Sequence, residues 1–62
     1  MTIYVVTAVD YEDFYIEKAF AVRADAEEYI EQQATSKSEF RGAMYYSKNG
    51  YSLRAEEVEL VK

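Results

Sequence analysis

Apolar and polar positions alternate through the first third of the chain. Thr2 to Val9 reads TIYVVTAV, and its β-branched and aromatic content predicts a strand. Ile3, Val5, Thr7 and Val9 share one side, and Tyr4, Val6 and Ala8 share the other. Both sides are largely apolar, the pattern of a central strand with both faces at least partly covered. The polar stretch Asp10-Tyr11-Glu12-Asp13 fits a four-residue hairpin loop. Phe14 to Phe20 then predicts a second, antiparallel strand, with Phe14, Ile16 and Phe20 opposed to Tyr15, Glu17 and Ala19. Lys18 interrupts its apolar side, and an inward-pointing charge protects an edge strand from unwanted pairing.

The period changes after Ala21. Val22, Ala26, Tyr29, Ile30 and Ala34 draw one stripe on a helix spanning Val22 to Ala34. Asp25, Glu27, Glu28 and Glu31 fall on its other side, where acids in the first turns complement the helix dipole. They form a candidate acidic contact face, to be weighed against an ordinary solvated one. No Ser, Thr, Asp or Asn stands at the cap position near Ala21 to Arg23, so the start is weakly signalled.

Two readings compete between Thr35 and Gly50. One is a short helix carrying Phe40 and Met44, in which Gly42 costs about 1 kcal/mol relative to Ala. The other, slightly preferred, is a hairpin arm or irregular loop, because Asn49-Gly50 is a strong turn signal and Tyr45, Tyr46 and Tyr51 suit a sheet. Tyr51 to Val61 predicts the last strand. Its apolar residues change phase between Ala55 and Val58, which predicts a β-bulge near Glu56-Glu57.

Assembled with a right-handed crossover, these elements predict a single α+β domain over residues 1–62. It has a three- to four-stranded antiparallel or mixed sheet in ββαβ order, strand order 2-1-3, with one helix packed on one face. The helix is expected over Ile3, Val5, Phe14, Ile16 and Phe20. Tyr4, Val6, Tyr15 and Ala19 are then left uncovered, and an uncovered apolar face marks a partner surface.

Composition narrows the chemistry. With 62 residues and no Cys, apolar burial barely offsets chain entropy, so oligomerisation is an expected source of stability. With neither His nor Cys, the usual general base, the thiolate nucleophile and the commonest soft-metal ligands are all missing. Paired carboxylates such as Asp10 with Asp13 remain, but so small a chain has little room for a pocket that shifts a pKa and encloses a substrate. The Asp10–Asp13 loop lacks the further ligands and the glycine of a calcium loop. No enzyme, metal or cofactor is therefore expected. A net charge of −5 disfavours nucleic acid, no apolar run is long enough to span a bilayer, and no signal peptide is visible, so the bacterial cytoplasm is the expected compartment.

Seven tyrosines and three phenylalanines exceed what so small a core can hold. Tyr4, Val6, Tyr15, Tyr45, Tyr46 and Tyr51 are the candidate protein-interface residues. Ile3-Tyr4-Val5-Val6, a polar turn, Ile16 to Phe20, Ala26-Glu27-Glu28-Tyr29-Ile30 and Glu57-Val58-Glu59-Leu60 together resemble small uncharacterised ββαβ proteins of bacteria and their phages. The resemblance implies a phage or mobile-element origin, where short acidic chains bind and block host proteins, and it transfers no functional residues. The expectation is a non-enzymatic interaction module, a homodimer that inhibits or modulates a host defence or nucleic-acid-processing protein. The alternative is a small module binding single-stranded nucleic acid or a ligand, since aromatics on an open sheet can stack on bases.

Overall fold

The structure, a computed structural model, describes residues 1–61, so the final residue of the expected 1–62 span lies outside the described residues. The elements in chain order are β1 (Thr2–Val9), β2 (Phe14–Phe20), α1 (Arg23–Gln33), β3 (Ser36–Phe40), β4 (Ala43–Lys48) and β5 (Tyr51–Glu59). The strands form one five-stranded sheet ordered β2-β1-β5-β4-β3, with every neighbouring pair antiparallel. The expected ββαβ fold with a three- to four-stranded sheet ordered 2-1-3 is thereby corrected. The Thr35 to Gly50 segment, read as a short helix or, by slight preference, a hairpin arm or irregular loop, supplies two further strands, and α1 crosses the sheet from one edge, β2, to the other, β3.

Two tight turns create the additional strands. Arg41 and Gly42 have φ of 52° and 81°, and Asn49 and Gly50 have 51° and 89°. Successive positive φ values at both central residues match the right-handed twist of the flanking strands, as two-residue hairpin turns require. Gly42 is thus the hinge of a hairpin rather than a weak point in a helix. Thr35 pins the base of this β3–β4 arm: its N–H donates to the Ser47 carbonyl at 2.8 Å, and its Oγ1 accepts from the Asn49 N–H at 3.0 Å.

The helix covers the sheet face opposite to the expected one. Val6 and Ala8 of β1 and Leu53 of β5 form the buried core with Ala26 and Ile30 of α1, flanked by half-buried Tyr4, Phe20, Tyr29, Tyr46 and Tyr51. Val6 has no exposed surface. Small side chains explain the choice: Ala26 lets the helix come close, and Ala8 and Ala55 leave it room, whereas Ile3 and Ile16 would hold it off. The β-bulge expected at Glu56-Glu57 is not there, since β1 and β5 pair in unbroken register from Thr2↔Glu59 to Val9↔Ser52. The bulge lies in β2, where Val6 faces Lys18 and Thr7 faces Ile16, leaving Glu17 as the extra residue. This bulge places Phe14 and Ile16 on the face away from the helix while Phe20 stays beside it. It also lets Glu17 meet Lys48, 3.2 Å away, on the helix side.

Val22, preceding α1, gives it no side-chain cap, and beyond its end the Ala34 N–H donates to the Ile30 carbonyl. No helix among the described residues is long and apolar enough to cross a membrane.

Candidate functional site

Two surfaces stand out, and both follow from how the strands pair. The first is a cleft where the sheet splits. β4 pairs with β5 at only three positions, Tyr46↔Leu53, Ser47↔Ser52 and Lys48↔Tyr51. The same register carried on would set Tyr45 against Arg54 and Met44 against Ala55, but there the strands have parted. Beneath α1 this split opens a cleft of about 550 Å³ whose lining includes Ile30, Met44, Tyr46, Leu53, Ala55 and Glu27. Glu27 and Ala55 also line a smaller hollow with Tyr4, Arg23 and Glu57, so the groove continues along β5.

The second surface is the sheet face away from the helix. Alternation through the observed register places Ile3, Val5, Thr7 and Val9 of β1 here, with Phe14 and Ile16 of β2 and Val58 of β5. Phe14 is 62% exposed and Ile16 67%, values unusual for neighbouring large apolar side chains in a folded chain. Of the twelve acids, Glu56 alone lies on this face, 3.9 Å from Arg54 on the same strand. The others stand in the β1–β2 loop, on α1 or on the helix side of the strands. Thr7 is 3% exposed in this face, and its Oγ1 has no hydrogen-bond partner.

The six expected interface residues do not form one surface. Val6 is core. Tyr4 is half-buried under the Arg23 guanidinium, 5.4 Å from its ring, and Tyr46 is half-buried against Leu53. Tyr15 and Tyr51 meet edge to face with ring centroids 5.5 Å apart, at the rim of the helix side, and the Tyr51 hydroxyl donates to Asp13 at 3.3 Å. Tyr45 alone lies on the uncovered face, toward its β3–β4 end. Hydrogen bonding with the Tyr15 side chain, then partial burial and the nearby Asp13 charge, push the Tyr51 hydroxyl up to about 12.

The helix acids divide between two flanks. Asp25 and Glu28 border a hollow with Lys18, Phe20 and Tyr29, and Glu28 accepts a bond from Gln32 at 3.1 Å. Glu27 borders the cleft, and Glu31, one turn on, shares its flank. The expected single acidic face is therefore two half-faces. Several of the basic side chains are engaged one by one: Lys18 stands 5.7 Å over Phe20 and Tyr29, Arg41 5.3 Å over Phe40, and Lys48 against Glu17. Among the described residues no three acidic side chains converge as a metal site would require.

Sequence alternation sets Phe14 and Ile16 on one face with Ile3 and Val5, as found, but they were missed as a surface because that face was expected to lie under the helix; Val58 was missed because a bulge was expected at Glu56-Glu57, where the register is unbroken. The cleft was hidden because a strand pair that stops early reads like one that continues. No protein-family model matches the chain, and no curated protein or solved structure matches it.

Proposed function

We propose that this chain is a non-enzymatic protein-interaction module that assembles as a homodimer and modulates a larger partner protein. The observation that carries the reading is the uncovered apolar sheet face. A second copy suits this face because it is nearly free of net charge, while each chain carries −5 overall. Its one acid and its Arg54 are self-complementary under two-fold symmetry, Arg54 of each copy facing Glu56 of the other. The dimer then leaves the outer edge of β5 and the helix side of the cleft free for the partner, while Val9, Tyr45, Ser52 and Arg54 line the cleft from the dimer face. Absence of Cys fits work in the reducing cytoplasm of a bacterial host. Blocking a host protein is the mode implied by the resemblance to short phage and mobile-element chains.

Sedimentation equilibrium tests the assembly. The expected mass is that of a dimer, and Phe14→Lys combined with Ile16→Lys, both at exposed positions, is expected to give a folded monomer. A monomer at all concentrations, or a double variant that still dimerises, overturns the face-to-face dimer.

A further inference from the structure

We propose that the outer edge of β5, from Arg54 to Glu59, accepts an extended basic peptide segment of the partner protein as an added strand, with an apolar side chain of that segment entering the cleft over Ile30 and Leu53. The inference rests on the reading of the chain as a protein-interaction module and names the chemistry its partner must present.

β5 is paired with β1 from Ser52 to Glu59 on one side, but on the other it has a strand partner only from Tyr51 to Leu53. From Arg54 onward, among the described residues, no strand pairs with its second edge. Such an edge is a ready template for β-augmentation, where backbone bonds give affinity and side-chain pockets give specificity. The sheet has two other free edges, and neither is as suitable. β2 is broken by its bulge at Glu17 and carries Lys18, while β3 is only five residues long with every residue exposed. β5 instead is held in unbroken register by its neighbour, so little ordering cost falls on binding.

Charge selects the occupant. Glu27 and Glu57 line the groove on the helix side, Glu59 follows further along the same side of β5, and Glu56 lies on the other side, against Arg23 and Arg54. Both arginines already have acidic neighbours, Glu57 at 3.8 Å and Glu56 at 3.9 Å. The surplus is negative, so the incoming strand supplies Lys or Arg. A second copy's β5 is a poor occupant of the edge, because pairing two strands that each carry Glu56, Glu57 and Glu59 sets like charges near one another.

The test uses the full chain and a fluorescein-labelled eight-residue peptide of alternating Lys and Val. Its controls are an alternating Glu and Val peptide and the Lys–Val peptide methylated on alternate backbone nitrogens. Saturable anisotropy is expected for the first peptide, with binding at least about tenfold weaker for each control. Glu57→Lys with Glu59→Lys, at exposed positions, should weaken it about tenfold while the dimer mass stays unchanged. Amides of Arg54–Glu59 that do not bond to β1 should exchange freely in the chain alone and slow about tenfold on binding. Equal binding of the methylated peptide would reduce the interaction to charge attraction and overturn strand addition. So would no binding up to about 1 mM, or edge amides already protected in the free chain, which would show a second copy or the chain's own β3–β4 arm in place. If the peptide fails while the Phe14/Ile16 dimer stands, strand addition alone falls; if both fail, the interaction-module reading falls with it.

Discussion

Thr7 and Tyr51 show how single polar atoms report on their surroundings. The Thr7 hydroxyl is buried without a partner, and an unpaired buried polar group costs about 1–3 kcal/mol. Thr7→Val keeps the shape and removes the hydroxyl, so it should raise stability by about 1 kcal/mol in urea unfolding; a loss of stability would show that the hydroxyl has a partner in solution. Val6→Ala, by contrast, empties the centre of the core and should cost about 2 kcal/mol. Tyr51 has a pH signature. Its folded value of about 12 stands above the ordinary 10, so between those values the native chain keeps a proton that the unfolded chain has released. The stabilising contribution is complete below pH about 10 and is lost as pH rises toward 12. Tyrosinate absorbance should show one late-titrating group that Tyr51→Phe removes, and Tyr15→Phe, by deleting the leading cause of the shift, should move that transition downward. A late group that persists in Tyr51→Phe would assign the shift to another tyrosine.

The two hairpin turns differ in what they hold. Gly50 closes β4 onto β5 at the only three positions where those strands pair, whereas Gly42 closes the free tip of the β3–β4 arm. Both have positive φ and open space around a would-be Cβ, so Ala at either site meets backbone strain of about 1–2 kcal/mol rather than a clash. Gly50→Ala should lower global stability by that amount, while Gly42→Ala should fray the arm alone, visible as faster exchange of β3 and β4 amides with β1 and β5 unchanged. Equal effects on all five strands would show that the arm is not a separate unit. The contrast also marks what was legible beforehand. Thr2 to Phe20 read as a hairpin, and the spacing from Val22 to Ala34 as a helix, because their periods differ and each spans enough residues to be unambiguous. Asn49-Gly50 was visible as a turn, since both residue types favour positive φ. Arg41-Gly42 was not, because Arg does not announce a left-handed turn and Gly42 could equally weaken a helix. The grouping of Phe14 and Ile16 with Ile3 and Val5 was legible, but Phe20 was assigned to their face because the bulge at Glu17 shifts the end of β2 by one residue, and nothing in FYIEKAF marks which residue is extra. Which face the helix covers was not legible, because both faces of β1 are apolar.

At the scale of the whole molecule, the apolar core among the described residues is five side chains, and two of them are alanines. The radius of gyration, 12.0 Å, exceeds the about 10.5 Å that chain-length scaling gives for a compact domain of this size, as expected of a sheet with a projecting arm and helix cover on one face only. A core this thin sits near the limit of independent stability. In the proposed dimer a second copy covers Phe14, Ile16 and Val58 and adds the missing layer, since two sheets packed face to face bury what one helix cannot. The consequence is linkage between folding and concentration. A tenfold rise in protein concentration adds about 1.4 kcal/mol per dimer, or about 0.7 kcal/mol per chain. With the unfolding entropy of about 2.1 cal/mol/K per residue, that lifts Tm by about 5 °C. Phe14→Lys with Ile16→Lys should lower Tm and abolish its concentration dependence together, because both effects come from the same buried face. Thermal scans over a hundredfold range of concentration separate the possibilities: a slope that the double variant flattens locates the interface on this face, a slope that survives it moves the interface elsewhere, and a flat line for the unsubstituted chain means that the five-residue core stands alone.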